Sequence, residues 1–298
     1  MDLDAYLRRI DYRGAREPTL AVLRAIHEHH TRAIPFENLN PLLGWPVRLD
    51  IASLERKLVH ERRGGFCFEH NLLLRHALDA IGFRTTGLAA RVRWNLPPEA
   101  TMPRTHMLLL VRVGAERYIA DVGFGGMTPT TPLRFEADVE QPTTHEPYRL
   151  ARAGDAYVMQ AGVRGEWKSL YQFDLQEQAL EDYQMASWYL THHPDSRFVT
   201  GLIASRVDRG RRHVLRNAEL ATHVLHGETE RRALASAAEL RGVLKDTFHL
   251  DLPDDPELDA ALEWVVARGA AGAEAGVGGG EGASESGASP PPRPWRRG

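Results

Sequence analysis

Apolar residues recur at helical spacing through the first eighty positions. Leu3, Tyr6, Leu7 and Ile10 fall at i, i+3, i+4 and i+7, which is one face of a helix. Gly14 and Pro18 interrupt the pattern, and Thr19 is placed to cap a second helix whose apolar face is Leu20, Leu23 and Ile26. That helix must end before Pro35, because the residue preceding a proline avoids the helical region, so Ile34-Pro35-Phe36-Glu37-Asn38-Leu39 reads as a loop. Asp50 can cap a third, short helix carrying Ile51, Leu54 and Leu58. A further helix is predicted from Cys67, with Leu72, Leu73, Leu74, Ala77, Leu78 and Ile81 as its apolar positions and Gly82 as its stop.

The pattern changes at Phe83. Val92, Met107–Val113, Tyr118–Val122, Tyr148–Leu150, Tyr157–Met159 and Trp167–Phe173 are strand-like, each bounded by Gly, Pro or Asp. Repeated short strands with tight turns predict an antiparallel sheet or small barrel. A helical stretch runs from about 176 to 189 and breaks at His192-His193-Pro194-Asp195. Strands are predicted at Phe198–Val207 and Arg211–Leu215, joined by Asp208-Arg209-Gly210. Ser236 with Glu239 forms a capping-box pattern ahead of Leu240, Val243, Leu244 and Phe248, and a last helix is expected from Glu257 to Arg268. From Gly269 onward Gly, Ala, Ser, Glu and Pro cannot bury enough apolar surface to offset chain entropy, so this tail is expected to be disordered.

Bulk properties narrow the function. Of 298 residues, 43% are hydrophobic and 26% charged, as in an ordinary soluble protein, and the net charge of −3 gives no basic face for nucleic acid. The N-terminus lacks the basic and apolar regions of a signal peptide, and no run of eighteen apolar residues is present, so no membrane partner is expected and the cytoplasm is the default location. A single cysteine excludes an internal disulfide and a Cys-rich zinc site.

That cysteine lies in Arg62-Arg63-Gly64-Gly65-Phe66-Cys67-Phe68-Glu69-His70-Asn71. At a helix start the backbone N–H groups lack intrahelical partners and, with the helix dipole, favour an anion, here the reactive thiolate. A lone cysteine is more often a small buried hydrophobe, so the functional reading needs partners. A nucleophile of this kind needs a base, and the base an orienting group. His106 opens the most apolar strand, and Gly114-Ala115 has the signature of a two-residue hairpin turn. That turn sets Val113 opposite Glu116, Leu108 opposite Asp121 and His106 opposite Gly123. His106 and Asp121 then share a face as diagonal neighbours, roughly 7–8 Å apart. A turn one residue longer would put them on opposite faces. His27, His29 and His30 also cluster; only His27 and His30 share a helix face, no carboxylate beyond Glu28 completes a metal site, and a solvated face with no metal is expected.

These residues resemble the arylamine N-acetyltransferase family. The matching text is Tyr6-Leu7-Arg8-Arg9-Ile10 with Tyr12 and Gly14, Pro18-Thr19-Leu20, Ile34-Pro35-Phe36-Glu37-Asn38-Leu39, Arg63-Gly64-Gly65-Phe66-Cys67 with Glu69 and Asn71, Thr105-His106-Met107, and Asp121-Val122-Gly123-Phe124-Gly125. The resemblance implies an α+β fold with a cysteine-protease-like core: a helical bundle over 1–82, an antiparallel β-barrel over 83–185, an α/β lid over 186–268, and the tail 269–298 outside what the family needs. It implies a Cys67–His106–Asp121 triad, with no permanently bound cofactor and acetyl-CoA as co-substrate. The acetyl group would pass through Cys67 to an arylamine, arylhydrazine or N-hydroxyarylamine. Backbone N–H groups of Cys67 and Phe68 are candidate oxyanion donors. Phe36, Val92, Phe124 and Phe198 match acceptor-pocket positions, though plain core packing explains such residues equally well. Thr105, Gly125 and Gly126 are candidate CoA contacts. Glu37 and Arg63 are expected to pair across the bundle and hold the cysteine turn. Three alternatives stay open: an amide synthase closing a polyketide chain, a papain- or transglutaminase-like hydrolase with the same triad, and a protein that binds an aromatic or CoA without turnover.

Overall fold

The structure is a computed structural model and describes residues 1–97 and 99–275. The chain runs through α1 (Leu3–Arg9), α2 (Leu20–Ala33), β1 (Phe36–Glu37), α3 (Leu39–Leu43), α4 (Ile51–Leu54), α5 (Cys67–Ile81), β2 (Arg84–Val92), β3 (Arg104–Val113), β4 (Glu116–Ala120) and β5 (Leu133–Arg134). It continues through β6 (Tyr148–Ala153), β7 (Ala156–Val163), β8 (Glu166–Glu177), α6 (Leu180–His192), α7 (Arg197–Thr200), β9 (Ile203–Asp208), β10 (Arg211–Arg216), β11 (Glu219–Val224), β12 (Thr229–Ala233), α8 (Ala237–Asp246) and α9 (Pro256–Ala275).

The predicted helix signals act where expected. Thr19 and Asp50 accept from the backbone N–H groups of Val22 and Ser53 at 3.3 and 2.9 Å. Gly82 ends α5 in the left-handed region at φ +104°. Past Leu54 the third helix widens into a π-helical segment, Glu55–His60, which turns Lys57 into the core.

Seven strands form a sheet ordered β5-β4-β3-β2-β8-β7-β6, and bridges from Ala137 and Gln141 to β6 bring its two edges together into a nearly closed barrel. Val113 lies opposite Glu116 and Leu109 opposite Ala120, the register that the Gly114-Ala115 turn demands, with Gly114 at φ +60°. β3 is buried on both faces, which explains its unbroken apolar run. Met107, Leu109 and Val111 pack on the helical bundle, while Leu108 and Leu110 point into the barrel. A second sheet, β1-β9-β10-β11-β12, carries α8 and α9 and borrows β1 from the helical half of the chain.

Five sequence expectations change. The segment 34–39 contains a two-residue strand, because Phe36 and Glu37 pair with Ser205 and Ala204. The helix expected from 176 starts at Leu180 and runs to His192, since β8 extends to Glu177 and Asp182 caps the Ala179 N–H at 3.0 Å. Phe198 sits on the one-turn helix α7, capped by Ser196, instead of on a strand. The last helix passes Arg268 and reaches Ala275; the rest of the predicted tail, 276–298, lies outside the described residues. His27 and His30 are fully buried, because Tyr6 and His70 supply partners for His30 and the Asp121 backbone faces His27.

Candidate active site

Cys67 is the first residue of α5. The turn before it is held by contact instead of unusual backbone angles. A Cβ on Gly64 would fall 2.1 Å from the Pro35 carbonyl oxygen, and one on Gly65 2.6 Å from Glu69 Oε2. Glu69 accepts the Phe66 N–H at 3.1 Å and the Lys57 ammonium at 2.7 Å. Arg63 donates to Glu37 at 2.8 Å, so the expected pair across the bundle forms, and Lys57 lies 4.0 Å from the same carboxylate. Burial would raise the Glu37 pKa, but the Arg63 and Lys57 charges outweigh it and hold this carboxyl below its usual value. The four buried charges alternate in sign beneath the cysteine turn.

The structure brings Cys67, His106 and Asp121 together, at 4%, 2% and 1% exposure. His106 Nε2 lies 2.7 Å from Asp121 Oδ2, and the ring interacts electrostatically with the Cys67 side chain. Burial alone would lower the His106 pKa; the Asp121 charge and hydrogen bond, with Cys67, outweigh it and raise it from 6.5 to about 10. Asp121 is pulled the other way. Burial opposes its charge, but His106, the Asn71 amide at 3.0 Å and the Gly123 N–H at 2.9 Å hold it below the ordinary carboxyl range. At neutral pH the ring is an imidazolium and the carboxyl ionised, a charge arrangement able to hold a thiolate. As the neutral thiol, Cys67 Sγ is placed to donate to the Thr105 carbonyl at 3.4 Å, which makes Thr105 a backbone neighbour of the sulfur. The N–H groups of Cys67 and Phe68 find no acceptor among the described residues.

The four aromatic-slot residues fall into two groups. Phe36 and Phe198 meet edge-to-face at 5.8 Å, with Phe198 on Phe66 and Phe36 stacked on His70. Phe124 meets the His106 ring at 5.2 Å, and Val92 pairs in the ladder with Tyr171. Gly125 joins the groups: a Cβ built on it would lie 3.7 Å from the Phe36 ring. The larger cavity, about 270 Å³, does not open on the sulfur. It is lined by Thr31, Arg32, Thr130, Val207, Asp208 and Arg209, among others, and a void of about 10 Å³ beside Phe36 and Gly125 shares Thr31 and Val207 with it. The cavity lining, which includes Thr144 and His145, contains none of Cys67, His106 and Asp121.

A family model described as N-acetyltransferase matches residues 19–256. An arylamine N-acetyltransferase of Mycobacterium tuberculosis is 47% identical over 275 residues, spanning 90% of this chain and 97% of the relative. The chain belongs to the arylamine N-acetyltransferase family. Two solved structures of the Mycobacterium marinum arylamine N-acetyltransferase, one of them in complex with CoA, match it at TM-scores of 0.86 and 0.85. Each is 45% identical and covers 89% of this chain, with 100% and 99% of the neighbour's own length matched.

In this arylamine N-acetyltransferase three residues at the site escaped the sequence reading. Asn71 donates to Asp121 and to the Met107 carbonyl and accepts from Val122; its place one helical turn after Cys67, on the same face, was a usable signal. His27 accepts the Asp121 N–H at 3.3 Å, and the Tyr171 ring lies 4.7 Å from His106. Neither carries a local signal. Among the described residues no helix is long and apolar enough to cross a membrane.

Proposed function

We propose that the chain transfers an acetyl group from acetyl-CoA to arylamines, arylhydrazines or N-hydroxyarylamines by a ping-pong mechanism through an acetyl-Cys67 thioester. The observation that carries this reading is the buried His106 ring, 2.7 Å from Asp121 and in electrostatic contact with the chain's single cysteine. The Cys67 thiolate attacks the thioester carbonyl while His106 is the imidazolium. The N–H groups of Cys67 and Phe68 receive the oxyanion. The bond from the acetyl carbon to the CoA sulfur breaks, and the leaving thiolate takes the His106 proton. In the second half-reaction a neutral aromatic amine attacks the acetyl carbon, His106 takes its proton, and the Cys67 thiolate leaves. Asp121 fixes the ring's tautomer and stabilises its charged form. A protonated alkylamine has no lone pair and does not react.

The acceptor is read to sit among Phe36, Val92, Phe124 and Phe198, and the CoA diphosphate at Gly125 and Gly126, with Thr105 beside the pantetheine end. Two features support this: Phe124 lies against His106, and the M. marinum neighbour was solved with CoA. Intact-mass spectrometry after mixing with acetyl-CoA tests the reading. A gain of one acetyl group, lost in Cys67→Ala and reversed by an added arylamine with release of its acetamide, is expected. An unmodified chain that still acetylates the amine overturns it.

A further inference from the structure

The loop after Asp121 presents four successive main-chain N–H groups, those of Phe124, Gly125, Gly126 and Met127, that find no acceptor among the described residues. Its carbonyls, by contrast, are tied down. Gly125 O accepts from Thr128 N at 3.0 Å and from Thr128 Oγ1 at 2.9 Å. Gly126 O and Thr128 O accept from Nη1 of Arg212 at 3.4 and 2.9 Å. In a planar trans peptide the carbonyl and the following N–H point in opposite directions. The N–H groups of Gly126 and Met127 therefore face away from these anchors, towards the half-exposed side of the loop. Gly125 is left-handed at φ +85°, and a run of N–H groups around a left-handed residue forms a concave site for an anion.

Arg212 belongs to β10, in the other sheet, and is 2% exposed. It does not present its charge to solvent. Its Nε and Nη2 donate to the Glu146 carboxylate at 2.9 and 2.7 Å, and Nη2 also donates to the Tyr148 hydroxyl at 3.1 Å. With Glu146 and Tyr148 satisfying one side of the guanidinium, the remaining nitrogen is left for the loop carbonyls. A planar fork with fixed donors suits this task and a lysine does not.

We propose that Arg212 is a positioning residue for the acyl donor: by fixing the Gly126 carbonyl it aims the Met127 N–H, and by holding Thr128, whose N–H and hydroxyl grip the Gly125 carbonyl, it aims the Gly126 N–H, both at the diphosphate of acetyl-CoA. This rests on the reading of the chain as a CoA-dependent acetyltransferase. Arg212 makes no contact with the donor and takes no part in bond making. Its effect falls on donors that carry a diphosphate and spares those that do not.

The test compares two donors, acetyl-CoA and p-nitrophenyl acetate, in Arg212→Met, in Arg212→Lys, and in Arg212→Met/Glu146→Gln, which removes both buried charges if the single variant folds poorly. Thermal melting checks the fold of each. Losing aligned N–H donors to a diphosphate raises the KM for acetyl-CoA and the Kd for CoA by about tenfold or more. The kcat stays within about twofold, and so does Cys67 acetylation by p-nitrophenyl acetate. Arg212→Lys is expected to recover only part of the CoA affinity. Equal loss with both donors would show a merely structural role and overturn the proposal, as would unchanged CoA affinity in a folded variant. Failure of the parent reading is separable: the unsubstituted protein would then accept p-nitrophenyl acetate and not acetyl-CoA.

Discussion

Asp121→Asn is the perturbation that separates an ion-paired cysteine from an ordinary one. The substitution keeps the size of the side chain, and its Oδ1 can still accept from Asn71 and from the Gly123 N–H, so the fold is expected to survive. What it removes is the negative charge 2.7 Å from His106 Nε2. With a smaller part from Cys67, that charge and hydrogen bond overcome burial and lift His106 from 6.5 to about 10, a difference worth about 5 kcal/mol in favour of the imidazolium. Without them burial dominates, and the ring is neutral at pH 7. The thiolate loses its counter-ion, and the asparagine amide presents a donor where the ring needs an acceptor. The rate of Cys67 acetylation by acetyl-CoA in a single turnover should fall by about 10³–10⁴. Iodoacetamide gives a second reading that needs no substrate. Between pH 8 and pH 6 an ordinary thiol loses about 75-fold in reactive form. At pH 6 the unsubstituted protein should be alkylated much faster than Asp121→Asn. If the variant keeps single-turnover acetylation within about tenfold, the carboxylate does not hold the pair in its charged form.

Other predictions follow from the same contacts. Gly123→Ala would bring a Cβ 2.8 Å from Cys67 Cα and 3.0 Å from Asn71 Nδ2, so steady-state activity should fall at least about tenfold while the circular dichroism spectrum is retained. Arg63→Met leaves Glu37 buried with only Lys57 at 4.0 Å, and chemical denaturation should show a loss of about 3–5 kcal/mol. Burial keeps His27 and His70 neutral, with values lowered to about 4 against 6.5 in the unfolded chain. The unfolded chain therefore binds protons that the folded chain refuses, and stability should drop as pH falls from 6.5 to 4, by up to about 3 kcal/mol per histidine. His106 has the opposite sign: its contribution is complete below 6.5 and is lost as pH rises towards 10. Urea midpoints across pH should therefore peak near 6.5; a midpoint still rising at pH 9, or flat down to pH 4, would contradict these assignments.

What could be read without coordinates was what depends on near neighbours. Thr19, Asp50 and Gly82 act through backbone groups within a few residues, so their caps were legible. Gly114 fixed a register that runs from Val113–Glu116 to Leu109–Ala120, and the chain just beyond it carries Asp121 to 2.7 Å from His106. Phe198 was misplaced because Phe, Val and Thr are strand formers, whereas the Ser196 cap turns them into one helical turn. Helix α9 outran its predicted end because Ala270, Ala271 and Ala273 keep helical propensity high despite Gly269. His27 and His30 looked like a wetted face, and only the packing of α2 against Tyr6, His70 and the Asp121 backbone makes them core residues. Tyr171 meets His106 from a strand 65 residues later, a distance along the chain at which periodicity carries no information.

Because the chain has one cysteine, ultraviolet thiolate absorbance has a single source. Titrating that absorbance in the unsubstituted protein and in His106→Gln measures the ion pair itself, without substrate or turnover. The thiolate signal should be present at pH 7 and should vanish in His106→Gln at the same pH. A protein whose signal is absent at pH 7, or whose signal is the same with and without the imidazole, does not hold its cysteine in the way the His106 and Asp121 contacts require.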